Sequence, residues 1–314
     1  MSDKDTILKQ LDIIGVDAAF IIQEMFLGYK YRKHNGQLYN DDADIPTKLI
    51  KLYYELKPTE ISFDEMKTAF VKRYVLNESK LEGVNDETIH GKAEIAGFEK
   101  MYEYIHSDDI EYRFDVYTLK DLHKQLFSLA PHPECAGEFR NWDVYLPGTG
   151  TEISEWSLIR SKLEELDVEV HFLREWAPIV KESGNVNDLL EYLDYCVELK
   201  CKLIKVHPFG DGNGRTIRGF INKLLEDVNL PPIYIKATER TEYHKAMNLA
   251  NNEGDYSDIK NFYRYKICDS IIELDINDTV RKYNKQHRAD PSGTYESHGS
   301  LTKKVAETVP QDKK

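Results

Sequence analysis

Between residues 186 and 228 of this 314-residue chain, two helical patterns are interrupted by a stretch that neither a helix nor a strand accommodates. Before it, Leu189, Leu193, Val197 and Ile204 share one face of a helix. After it, Ile217, Phe220, Ile221, Leu224, Leu225 and Val228 form an apolar stripe, stopped by Pro231-Pro232. The interruption reads His207-Pro208-Phe209-Gly210-Asp211-Gly212-Asn213-Gly214-Arg215-Thr216-Ile217-Arg218, with three glycines in five residues. Packing does not call for glycine at that density. A backbone at positive φ, or one that must approach a ligand closely, does. The chain is therefore constrained to two amphipathic helices joined by a tight turn that faces a ligand.

The rest of the chain follows the same helical rule. Apolar residues recur at helical spacing from Leu8 to Met25, over Leu49–Leu56 and Phe63–Val75, from Asn77 to His106, and from Val116 to Leu126. They recur again over Leu158–Leu173, Glu242–Asn251 and from Asp258 to about Tyr283. Only residues 137–150 (GEFRNWDVYLPGTG) alternate aromatic and β-branched side chains before a Pro-Gly turn, which predicts a hairpin. The expected class is all-α with one β-hairpin. The expected division is an N-terminal helical region over 1–75, a core over 76–284 and a disordered polar tail over 285–314.

Composition excludes several roles. A formal net charge of −13 repels nucleic acid and anionic membranes. The early apolar stretch from Ile13 to Leu27 is broken by Asp17 and Glu24, so it cannot span a bilayer, and no signal peptide is visible. Cys135, Cys196, Cys201 and Cys268 form no C-x-x-C pair and read as free thiols of a reducing, cytoplasmic protein.

The chemistry lies in the glycine-rich turn. Consecutive backbone N–H groups in such a turn, feeding into a helix N-terminus, make a nest for an anion. Arg215 and Arg218 stand in the first turns of that helix, where cations oppose the dipole, so a compensating anion is expected; a triphosphate supplies one. Asp211 offers a hard oxygen suited to Mg²⁺. His207 is the one group there that titrates near neutrality, the natural general base. The stretch is not a calcium loop, because the twelfth position is Asn222 rather than Glu, nor a Walker loop, because no Gly-Lys-Ser/Thr follows.

These residues resemble the signature of the Fic family, H-x-F-x-D/E-G-N-G-R-x-x-R, and every specified position is met. The resemblance extends over roughly residues 76–270, including Gly137 to Arg140 and the segment from Leu230 through Tyr243 to Asn251. It implies a helical Fic bundle with a β-hairpin flap, and a protein adenylyltransferase that moves AMP from ATP to Ser, Thr or Tyr hydroxyls, its own included. By that likeness His207 is the catalytic base and Asp211 holds Mg²⁺. Gly210, Gly212, Asn213 and Gly214 cradle phosphates, Arg215 meets the β-phosphate side and Arg218 the γ-phosphate. Val144, Tyr145, Leu146 and Pro147 border the nucleotide, with Tyr243 and Asn251 near adenine and ribose. Target proteins would dock on the flap, residues 139–149, with self-association into a homodimer left open. Glu82, in Asn77-Glu78-Ser79-Lys80-Leu81-Glu82-Gly83, resembles the family's inhibitory glutamate, which pairs with the second arginine, here Arg218. Its motif, [S/T]-x-x-x-E-[G/N], is met at Glu82-Gly83, but Glu78 stands where Ser or Thr is expected. The same cradle would also serve UMP transfer, phosphotransfer, removal of AMP, or ATP binding without turnover.

Overall fold

The computed structural model describes residue 50 and residues 63–130, 135–146 and 150–274. The helical readings from Leu8 to Met25, that over 49–56 apart from residue 50, and the polar tail lie outside the described residues. Residues 63–270 form one compact unit. Nine α-helices are described: α1 Phe63–Leu81, α2 Ile89–Ile105, α3 Asp108–Tyr112, α4 Thr118–Leu126, α5 Ile159–Ser183, α6 Val186–Val206, α7 Asn213–Asp227, α8 Arg240–Glu253 and α9 Ser257–Leu274. Helix α1 is continuous through residues 75 and 76, where the sequence suggested a boundary.

Helix α7 is the centre. It packs against α2, α4, α5 and α6, and it buries residues on nearly every side, from Asn213 and Arg215 through Phe220 to Leu225. Helix α6 feeds it. Asn185 caps the start of α6 by accepting from Asn187 N at 3.0 Å. Its C-cap, His207, sits in the left-handed region at φ 49°, and Gly212, the N-cap of α7, lies there too at φ 71°. The turn over 207–212 is thus bounded by two left-handed residues, and for a histidine that conformation is uncommon and costly.

Helix α1 is fixed on the core by rings. Tyr74 lies 5.1 Å from Phe70, 5.1 Å from Phe98 and 5.5 Å from Tyr102. Its end is set by Gly83, at φ 81°, where Gly83 N donates to Lys80 O and Val84 N to Ser79 O. A left-handed glycine closing a helix in this way satisfies its last carbonyls. The Glu82-Gly83 pair therefore leaves Glu82 at the very tip of α1.

The hairpin expected within 139–149 is not formed among the described residues. Residues 139–146 carry no strand, and 147–149, Pro147 included, lie outside them. Residue 140, within the expected hairpin, bonds instead to the turn after α6, Arg140 N donating to Pro208 O at 2.9 Å; beyond the expected hairpin, Ser154 N donates to Lys205 O at 3.0 Å.

Candidate active site

The turn over 207–212 is held by its own side chains. Phe209 is fully buried and stacks on His123, with centroids 3.9 Å apart and planes at 8°. The Asn213 amide closes the loop on itself, accepting from Phe209 N at 2.9 Å and donating to Phe209 O at 2.8 Å. His123 accepts from Gly137 N at Nδ1 (2.8 Å), so Nε2 carries the proton and donates to Asp211 O at 3.1 Å. Burial, with Arg215 nearby, pushes this imidazole down to about 4. One Asp211 carboxylate oxygen accepts from Gly212 N at 2.6 Å. Gly210 lies under the half-exposed Trp142: a Cβ there would come 2.8 Å from the indole.

His207 caps α6, and the Arg140 guanidinium donates to its carbonyl at 2.8 Å. Arg140 also donates to Trp142 O at 2.8 Å and to Ser154 O. Burial and the Arg140 charge push the His207 imidazole down to about 4, against the pull of the Ile204 carbonyl, Glu82 and Asp211. At neutral pH the ring is uncharged and able to accept a proton.

The anion that Arg215 and Arg218 require is supplied by the protein. Arg215 Nη1 pairs with Glu94 Oε2 at 2.8 Å, and its guanidinium lies 5.4 Å from the Phe127 ring. Arg218 is met by two carboxylates: Nε donates to Glu78 Oε2 and Nη2 to Glu82 Oε1. The Glu82 contact is the one expected for Arg218, and Glu78 and Glu94 add carboxylates that the sequence reading did not include. A central helix can bury two arginines only if each is paired, because an uncompensated interior charge costs several kcal/mol, about 3–5 for a broken pair. Burial would raise the Glu82 carboxyl, but the Arg218 and Arg215 charges outweigh it and hold it below its usual range. Glu78 is fully buried, and burial raises its carboxyl in spite of Arg218 and the Ile235 N–H. Gly214 makes the arrangement possible: a Cβ there would overlap Glu82 Oε1 and lie 2.8 Å from Arg218 Nη1.

Two clefts meet at Asp211. One, of about 430 Å³, is lined by His90, Glu94, His123, Trp142 and Gly210; the other, of about 270 Å³, by Glu82, Asn85, Thr88 and Arg215. The remaining candidates are spread around them. Tyr243 is buried, with Lys200 Nζ 4.3 Å from its ring centroid and the Arg218 guanidinium 5.9 Å away. Asn251 is buried; its backbone carbonyl accepts from Lys205 at 2.9 Å, while its side-chain oxygen has no partner among the described residues. Val144 and Leu146 are half-buried and Tyr145 is 89% exposed. Sequence reasoning missed Glu94, His123 and Lys200 as neighbours of the site, and gave Glu78 and Arg140 no charge-pairing or clamping role. Of these only Glu78 left a signal: it lies four residues before Glu82, and two like charges on one helix face ask for a shared cation.

Residues 113–225 match the model of the Fic/DOC family. The protein adenylyltransferase Fic of Culex quinquefasciatus is 32% identical over 197 residues, covering 60% of this chain and 34% of that protein. The one of Nematostella vectensis is 26% identical over 175 residues, covering 55% and 36%. The chain thus spans about a third of the length of the curated relatives it matches. Among solved structures, Fic-1 (residues 134–508) of C. elegans superposes with a TM-score of 0.55 at 18% identity, covering 78% of this chain and 73% of that one. A Fic-domain signaling protein of Bacteroides thetaiotaomicron superposes at 0.57 and 15% identity, covering 74% and 97%; both likenesses concern the fold. The glycine turn, its histidine and its two arginines, assembled on α6 and α7, lie within the residues 113–225 that are similar to the Fic/DOC family.

Proposed function

We propose that this protein transfers AMP from ATP to hydroxyl groups of proteins, and that Glu82 restrains the reaction by occupying Arg218. The observation that carries the reading is the turn over 207–214. It joins an uncharged imidazole to a helix N-terminus followed by two arginines. The curated relatives named protein adenylyltransferase support the same activity.

In this reading His207 takes the proton of a Ser, Thr or Tyr hydroxyl. The oxygen bonds to the α-phosphorus, the bond from that phosphorus to the bridging oxygen breaks, and pyrophosphate leaves with the electron pair. The N–H groups of the glycine turn and the start of α7 stabilise the charge that develops, without reorganising as it does so. Asp211 fits Mg²⁺ as a single exposed carboxylate. The described residues form no cluster of three or more ligands, and Mg²⁺ commonly takes one or two carboxylates plus phosphates. Such an ion, when bound, offsets phosphate charge. The orphaned Asn251 oxygen suits a ribose hydroxyl, and Tyr243 a base. The exposed segment around Trp142 and Tyr145 is the surface on which we place the target. No helix among the described residues is long and apolar enough to cross a membrane.

The test is incubation with labelled ATP and Mg²⁺, wild type against Glu82→Gly, in the presence of lysate. Glu82→Gly labels itself or other proteins more strongly than wild type, and mass analysis finds one AMP per modified hydroxyl. A Glu82→Gly protein that binds ATP and labels nothing, or a product of another mass, overturns the reading.

A further inference from the structure

Arg218 carries one positive charge and is met by two carboxylates that differ in every physical respect. Glu82 lies past the last residue of α1, its side chain is 34% exposed, and its contact to Arg218 is through one oxygen. It is placed to leave. Glu78 lies inside α1 and is fully buried. Its Oε2 accepts from Arg218 Nε, and its Oε1 accepts from Ile235 N at 2.8 Å. Both oxygens face N–H donors, so the group is bound as a carboxylate. Any rotation that brings it toward solvent gives up both bonds.

The two partners also use different edges of the guanidinium. Glu78 takes Nε, and Glu82 takes Nη2. When Glu82 withdraws, the Nη edge opens toward Gly214 and the start of α7, while Nε stays tied. The guanidinium then presents to a ligand its geometry but little net charge, because the buried carboxylate remains beside it at low effective dielectric. We propose that Glu78 is a built-in counter-charge that sets how strongly the site favours a triphosphate over a diphosphate: by permanently offsetting Arg218, it weakens the grip on the terminal phosphate. This rests on the reading of the turn as a nucleotide site. Glu78 acts through Arg218 and is a positioning and specificity residue, not a catalytic one.

The opposing effect is loss of orientation, since Arg218 without Glu78 can rotate. The charge effect wins. The guanidinium is enclosed and still flanked by Tyr243, so few alternative positions exist, whereas a full charge is uncovered in the interior.

The experiment is equilibrium binding of ATP, ADP and AMP with Mg²⁺ to the full chain carrying Glu82→Gly, alone and with Glu78→Gln. Glu78→Thr is the second neutral variant, in which water can reach Arg218, should the glutamine form fold poorly. Glu78→Asp keeps the charge. We expect both neutral variants to bind ATP about tenfold more tightly than the Glu82→Gly parent. AMP affinity stays unchanged, so the ATP-to-ADP preference rises, and Glu78→Asp stays near the parent. An ATP-to-ADP preference that is unchanged or lower in the neutral variants, with AMP binding intact, overturns this inference and leaves the proposed function standing. No binding of any of the three nucleotides by the Glu82→Gly parent overturns both.

Discussion

An uncharged imidazole at position 207 follows from where that residue sits. Burial and the Arg140 guanidinium bonded to its own carbonyl both disfavour a second positive charge, which places the group at about 4. A base that weak in the free protein strengthens when phosphates arrive, because their negative charge stabilises imidazolium. Two limbs are therefore expected in the pH dependence of AMP transfer by the Glu82→Gly protein. The limb of kcat/KM, which reports the free enzyme, lies near 4, and the limb of kcat lies higher. A kcat/KM limb at the ordinary histidine value of ~6.5 would contradict the geometry of His207. Its replacement by alanine is expected to abolish transfer while leaving ATP affinity within about threefold, since in the proposed reaction the ring acts on the hydroxyl rather than on the phosphates. At this scale the sequence was informative where residues are neighbours along the chain. The turn between α6 and α7, with the helix start at Asn213, could be read because glycine freedom and helical periodicity are local properties. Glu94 could not be read. It is 121 residues from Arg215, on a helix whose own pattern gives no reason to expect a cation.

At the scale of elements, the segment after Gly137 depends on one side chain. Arg140 donates to the carbonyls of His207, Trp142 and Ser154, and its backbone N–H to that of Pro208. It thereby ties the coil over 138–146 to the end of α6. A lysine carries a point charge without the planar fork and cannot serve these carbonyls together. Arg140→Lys is expected to lower stability by about 2–4 kcal/mol, with the loss read by urea unfolding, and to open residues 138–146 to proteolysis. Wild-type resistance there in the variant would refute the clamp. The same residue bears on why no strand forms among the described residues of the expected hairpin. Alternation of Phe139, Val144 and Leu146 gives strand character, but a strand also needs a partner for its backbone, and here the N–H of Arg140 is taken by Pro208. The contact of α2 with α4 rests on a different device. Gly97 approaches so closely that a Cβ would overlap the Leu126 carbonyl oxygen, a backbone atom that cannot swing away. Gly97→Ala should therefore destabilise the protein by about 2–3 kcal/mol in thermal or urea unfolding, in spite of alanine's better helix propensity. A neutral or stabilising result would mean that the two helices separate at little cost.

For the molecule as a whole, the buried histidines make mild acid a direction of lost stability, and His123 is the clearest case. It lies 3% exposed between Phe209 and Phe127, with Nδ1 committed to accepting from Gly137 N. A second proton would have to sit on that nitrogen, facing a donor, which adds to the cost of burial. The folded value is about 4 and the ordinary value 6.5, so the unfolded chain takes up its proton first as pH falls. The stability this histidine contributes is complete above 6.5, declines between 6.5 and about 4, and then levels off. The difference amounts to about 3 kcal/mol over that window. His207, lowered to the same value, acts in the same direction. Glu78 opposes them: its raised carboxyl gains a proton more readily in the folded protein, which favours the fold as pH falls. The contributions can be separated by variants. Urea unfolding of the full chain at pH 7.0 and 5.0 should show wild type losing stability on acidification. His123→Gln keeps an acceptor for Gly137 and a donor for Asp211 but does not titrate. It should be less stable at pH 7, because the stack on Phe209 is lost, and its loss between the two pH values should be smaller than that of wild type by about 1–2 kcal/mol. Equal losses in the two proteins would show that His123 gains its proton in the folded state as readily as in the unfolded chain. That would contradict the hydrogen-bond pattern which locks it beneath the turn over 207–212.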